Sequence, residues 1–87
     1  MTPPAHVYLL RCADDTLYCG WTTDVARRVT EHQAGTASRY TRSRLPVALA
    51  WSKAVGSRGD ALREEHRIKQ LTRAEKEALI ELGNSGG

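Results

Sequence analysis

The 87-residue chain predicts a single small α/β domain with the element order β-β-α-β-α-α. Three observations lead there. The length suits one hydrophobic core rather than two. Two apolar, aromatic and β-branched runs stand close together near the start, separated by a polar turn. Three later stretches repeat apolar residues at helical spacing, with turn or capping chemistry around them.

Residues 6–12 and 16–21 are the two runs and read as a β-hairpin. Asp14 and Asp15 supply its turn through short side chains that bond nearby backbone. Thr22, Thr23 and Asp24 then offer N-cap oxygens, and Val25, Ala26, Val29 and His32 recur at helical spacing. The first helix is therefore expected over about residues 24–34, with Gly35 as its stop. A basic segment follows to Arg44, and residues 46–52 read as a third strand opened by a proline. Gly56 and Ser57 separate it from a second helix over residues 58–70, whose buried stripe is expected to carry Ala61, Leu62 and Ile68. Thr72 and Glu75 have capping-box spacing for a third helix ending at Gly83. Residues 1–83 make the domain and 84–87 a polar, flexible tail.

Lysine and arginine number 13 against 10 acidic residues, a formal charge of +3, which suits an anionic partner. The first 58 residues carry eight of the basic residues and four of the acidic ones, so the excess lies there. Cys12 and Cys19 are too few for a disulfide scaffold and lack the spacing of a zinc module. They are expected as small buried apolar groups, which argues against a zinc-bound interaction protein. No apolar run approaches the roughly 20 residues of a membrane span. The first residues show no leader pattern, so a cytoplasmic protein is expected. A chain this short has little core to spare for an enclosed pocket, so any site should be an open face.

Several residues break the packing pattern. Glu65 falls near the middle of the apolar stripe of the second helix, where an ionised carboxylate is costly unless paired or metal-bound. Glu64 points to one side, as a solvated acid does. On the first helix His32 projects almost with Val25, and Arg28 lies one turn earlier on the edge of that face, while Arg27 points outward. An Arg, a His and a Glu thus break patterning on helix faces expected to meet the same sheet. Tyr8 and Tyr18 stand on neighbouring strands of the hairpin, and Gly20 marks a close approach by a ligand or another backbone. Arg39, Tyr40, Thr41, Arg42, Ser43 and Arg44 alternate charge with an aromatic ring and hydroxyls, a composition suited to phosphate contacts and base stacking.

Tyr8, then Tyr18-Cys19-Gly20, then Arg28 and His32, with Glu65 in a later helix, resembles the layout of a GIY-YIG nuclease domain. The resemblance spans nearly the whole chain and is greatest to the small stand-alone bacterial members. In these, segments like Thr22-Thr23-Asp24-Val25-x-x-Arg28, Tyr40-Thr41-Arg42, Glu65-x-x-Ile68-Lys69 and Arg73-x-x-Lys76 follow in this order. The chain departs from the family pattern where His6-Val7-Tyr8 replaces Gly-Ile-Tyr and Tyr18-Cys19-Gly20 replaces Tyr-Ile-Gly. Its only asparagine, Asn84, lies in the tail and is not given the late-asparagine role of many family nucleases.

The resemblance implies a three-stranded antiparallel sheet flanked by helices and metal-dependent hydrolysis of phosphodiester bonds in DNA or RNA. It implies that Glu65 holds one Mg²⁺ or Mn²⁺ and that Arg28 stabilises charge on phosphate oxygens. Tyr8, its pKa lowered by metal or a basic neighbour, activates water; Tyr18 orients water or phosphate, and His32 relays or positions a proton. Gly20, Arg39, Tyr40, Arg42 and Arg44 form the nucleic-acid face. The expected partner is nucleic acid, chiefly DNA, with a protein partner as a source of specificity and the chain itself a monomer. The competing expectation is a weakly active or non-catalytic nucleic-acid-binding module on the same fold, an accessory factor in DNA repair or RNA handling.

Overall fold

The computed structural model describes residues 3–85, with the backbone alone for Asn84 and Ser85. Strand β1 (Ala5–Arg11) is followed by β2 (Leu17–Thr22), α1 (Val25–Gln33), a one-turn helix α2 (Arg39–Arg42), β3 (Ala48–Gly56), α3 (Arg58–Lys69) and α4 (Arg73–Ser85). The strands form one antiparallel sheet in the order β2-β1-β3.

The hairpin register follows from its turn. Asp14 Oδ1 accepts from the backbone N–H and the hydroxyl of Thr16 at 3.2 and 2.6 Å, and Asp15 adopts φ 68° in the left-handed region. Tyr8 thereby faces Gly20 and Leu10 faces Tyr18 across the pair. As the central strand, β1 is covered on both sides, which is why Val7, Tyr8, Leu9 and Leu10 are all buried.

Alternation along β1 divides the core in two. Ala5, Val7 and Leu9 join Cys19 beneath α3 and α4, against Ala61, Ile68 and Ile80. Tyr8, Leu10 and Cys12 join Val47, Tyr18 and Val29 beneath α1 and α2.

The largest departures from the expected boundaries are at the third strand and the last helix. The third strand starts later and runs further than residues 46–52. Proline at position 46 has no N–H to donate, and the backbone of Val47 is bound by the Gln33 side-chain amide at the end of α1, so pairing with β1 begins at Ala48. Helix α4 continues past Gly83 to Ser85. Gly83 is not a stop but a close approach: a Cβ there would sit 2.9 Å from Trp51 Cδ1. Residues 86–87 of the expected tail lie outside the described residues. The basic segment contains the short α2, capped by Ser38 Oγ, which accepts from Tyr40 N at 3.1 Å.

The helix starts agree with their capping residues. Asp24 accepts from Arg27 N at 3.1 Å, and Thr72 and Glu75 exchange bonds at 2.9 and 3.2 Å. A second capping box, Ser57 with Asp60, opens α3. On α3 the buried stripe is Ala61 and Ile68, whereas Leu62 is 44% exposed, so the apolar stripe is narrower than expected.

Candidate active site

The Tyr8 side chain fits under α1 because position 20 has no side chain. A Cβ on Gly20 would lie 2.5 Å from the Tyr8 hydroxyl, so the close approach signalled by that glycine is by Tyr8 itself. Tyr8 is 1% exposed, and its hydroxyl meets His32 Nε2 at 2.8 Å. The other ring nitrogen, Nδ1, lies 2.8 Å from Thr41 Oγ1, which itself donates to Ser38 O at 3.3 Å. With its proton on that carbonyl, Thr41 Oγ1 is free to accept from His32 Nδ1. That arrangement favours the tautomer with the proton on Nδ1, in which Nε2 accepts the Tyr8 O–H.

Two half-exposed rings border this buried chain. Tyr18 meets His32 edge-on with centroids 5.3 Å apart and lies 5.7 Å from Tyr40. Tyr40 is 36% exposed and carries the Arg44 guanidinium 3.9 Å over its ring. Arg44 is also tied to Asp14 at 2.9 Å, whereas Arg39 and Arg42 are exposed on α2. Arg28 is half-buried and pairs with Glu31 at 3.1 Å.

Burial pushes the Tyr8 hydroxyl up to about 12, against the opposing pull of the Arg28 cation. Arg28 thus pulls in the direction expected of a basic neighbour, but without a metal ion desolvation outweighs it. Burial, reinforced by Arg28, holds His32 below the ordinary imidazole range, with Glu31 acting the other way. Burial and then the nearby Glu65 raise Cys19 to about 11, as suits an unreactive core thiol.

Glu65 approaches the sheet from the other side. Its carbonyl lies 3.9 Å from Cys19 Sγ, on the face under α3 and α4, while Tyr8 and His32 occupy the face under α1 and α2. The Arg, His and Glu thus meet the same sheet but not the same face; they flank β2 from its two sides. Glu64 is no more solvated than Glu65, the side chains being 19% and 20% exposed. It pairs with Lys53 and Arg67, while Glu65 faces Lys69 Nζ at 3.8 Å. Thr41 and Glu31, which hold and bias His32 and Arg28, carry no signal in the sequence that marks them as site residues. The buried Thr41 looked like one more hydroxyl in a basic segment.

The family model for the GIY-YIG catalytic domain matches residues 4–78. The chain belongs to the GIY-YIG family. Among its relatives, a UPF0213 protein of Halobacterium salinarum is 55% identical over 75 residues, covering 86% of this chain and 97% of the relative. The solution NMR structure of a UPF0213 protein from Bacillus halodurans is 42% identical, with a TM-score of 0.58 over 90% of this chain and 83% of that one. A second NMR structure, of a protein from E. faecalis, is 36% identical with a TM-score of 0.61, covering 91% and 84%. Among the described residues of this GIY-YIG domain, no helix is long and apolar enough to cross a membrane.

Among the described residues no group of three or more His, Cys, Asp or Glu side chains is arranged around a metal position. The donor set suits a cation that keeps most of its water. Glu65 is a hard oxygen donor, largely covered, whose nearby cation stands beyond hydrogen-bond distance. Magnesium-type ions bind through one or two carboxylates, with waters and substrate phosphate completing the shell.

Proposed function

We propose that this GIY-YIG domain is a divalent-metal-dependent endonuclease that hydrolyses phosphodiester bonds in nucleic acid, with DNA as the expected substrate. The observation that carries this reading is the buried chain from Tyr8 through His32 to Thr41 beside the Arg28 cation. Desolvated acid–base pairs of this kind cluster at catalytic sites.

Tyr8 Oη takes the proton of the attacking water as it hands its own to His32 Nε2. The proton is stored on the imidazole, and the tyrosine never has to become a phenolate, which a pKa of about 12 prevents at neutral pH. Thr41 holds Nδ1–H so that Nε2 stays open to receive it. Tyr18 and Tyr40 orient the substrate at the mouth of the site, and Arg28 donates to the phosphoryl oxygens, where charge grows in the transition state. Glu65 would hold the Mg²⁺ or Mn²⁺, which when bound polarises the phosphate and the leaving oxygen. Arg39, Arg42 and Arg44 contact the backbone around Tyr40.

The placement of Glu65 and His32 on opposite faces of the sheet favours a second reading, a nucleic-acid-binding module without efficient cleavage. One experiment separates the two. Labelled duplex, single-stranded, branched and RNA substrates are incubated with Mg²⁺ or Mn²⁺ and wild type, Glu65→Ala or Arg28→Ala protein. Cleavage by wild type, reduced on the order of a hundredfold or more in both folded variants, supports the nuclease. Tight binding in EDTA with no cleavage of any substrate supports the binding module.

A further inference from the structure

Lys69, Arg73 and Lys76 belong to the ordered segments of the sequence yet have no part in the chemistry above. The register of β2 accounts for their positions. Leu17, Cys19 and Trp21 all turn to the face under α3 and α4. Beside Leu17, a concavity of about 200 Å³ is lined by Thr16, Leu17, Arg73 and Lys76. Beside Cys19 stands Glu65, whose carboxylate faces Lys69 Nζ at 3.8 Å. Beside Trp21 the Arg58 guanidinium lies 5.7 Å from the indole ring. Both Lys69 and Lys76 are within electrostatic reach of the Cys19 thiol.

The strand is at the edge of the sheet, and among the described residues no further strand covers its outer border. Arg58 and Lys69 stand at the two ends of α3, about 16 Å apart along its axis, a span of several phosphate steps on one nucleic-acid strand. Among the described residues neither Lys76 nor Arg58 has an ion pair, and that of Lys69 is loose. Arg73 is held by Asp15 at 2.8 Å and Glu77 at 3.3 Å, so it shapes the concavity more than it contributes free charge.

We infer that Arg58, Lys69 and Lys76 form a phosphate rail along the outer border of β2, with Glu65 at its middle. One strand of the nucleic acid lies along β2, and its phosphates pass the only carboxylate assigned to the metal while the tyrosines reach it from the other face. The inference rests on the nuclease reading and deepens it. It moves the main grip on the backbone from the α2 arginines to helices α3 and α4.

The test is fluorescence anisotropy of labelled duplex and single-stranded oligonucleotides in EDTA across a salt series. It compares wild type with a Lys69→Gln/Lys76→Gln double variant, a Lys69→Arg/Lys76→Arg double variant and an Arg39→Gln/Arg42→Gln double variant. The lysine-to-glutamine protein is expected to bind about tenfold more weakly at low salt. The slope of log affinity against log salt should fall by about 1 per lysine. The lysine-to-arginine protein should bind like wild type, and the α2 double variant should lose less than the lysine-to-glutamine one. Unchanged affinity and slope in a lysine-to-glutamine protein of native circular dichroism overturns the rail; loss of cleavage in Glu65→Ala and Arg28→Ala would then leave the nuclease standing. Wild-type protein that neither binds nor cuts any nucleic acid overturns both.

Discussion

Tyr8 and Leu9 are neighbours on the central strand, both buried, and they face two different chemistries. Leu9 enters a cluster of aliphatic side chains and a thiol under α3 and α4. Tyr8 enters a layer where a tyrosine, a histidine and a threonine are joined by hydrogen bonds under α1 and α2. The apolar face gains stability from area removed from water and tolerates no charge except at its border, where Glu65 stands. The polar face spends burial on groups that must each find a partner, and so fixes a proton on one atom of His32. The hydrogen-bonded Tyr8–His32–Thr41 chain thus lies on one side of the sheet and the larger aliphatic cluster on the other.

The sharpest way to break this comparison is to change each neighbour separately. Leu9→Ala should cost about 2–5 kcal/mol of unfolding free energy, because a fully buried side chain leaves a cavity in a tight cluster. Cleavage per folded molecule should stay near the wild-type rate, measured at a temperature where the variant remains native. A large loss of rate in folded Leu9→Ala protein would show that the two faces are not independent. Tyr8→Phe should have the reverse profile. It leaves His32 Nε2 buried without a donor, at about 1–3 kcal/mol, and removes the relay, lowering the cleavage rate by roughly 10²–10⁴. Denaturant titration and single-turnover cleavage on the same preparations read both quantities.

Much of this division was legible in the sequence, but not all. The hairpin, the Asp24 cap and the Thr72/Glu75 capping box are local, each written within a few residues, and they were found. His32 was visible as a polar residue on an apolar helix face. Its partner Thr41 was not, because a buried threonine on a one-turn helix has no periodicity to betray it. The spacing of Glu65 identified a helix face, but helical spacing carries no information on which side of a sheet the helix packs. That depends on the crossover through β3, a tertiary choice. Leu62 and Glu64 depart from the helical expectation for a related reason. The contact of α3 with the sheet is centred on Ala61 and Ile68, which leaves Leu62 outside and draws Glu64 in toward Lys53.

The smallest effect is the most discriminating, since it asks which atom holds the proton. His32 is held below its ordinary value of 6.5, so its neutral form prevails throughout the neutral range. If neutral His32 stores the proton, kcat/KM should fall as pH drops below 6.5 through the depressed pKa, and stay flat from neutral pH toward the ionisation of Tyr8 at about 12. A phenolate base predicts instead a tenfold rise per pH unit across the same range, because each unit nearer to 12 multiplies the deprotonated fraction by ten. Stability should follow the same signs. The unfolded chain takes up the histidine proton first as pH falls through 6.5, and loses the tyrosine proton first as pH rises above 10, so the fold loses stability in both directions. The alkaline loss should be smaller in Tyr8→Phe, which has no phenol at this position to titrate. A rate that climbs steadily from pH 7 to 10 in the wild type would end the case for the histidine as proton store and return the role of base to Tyr8 alone.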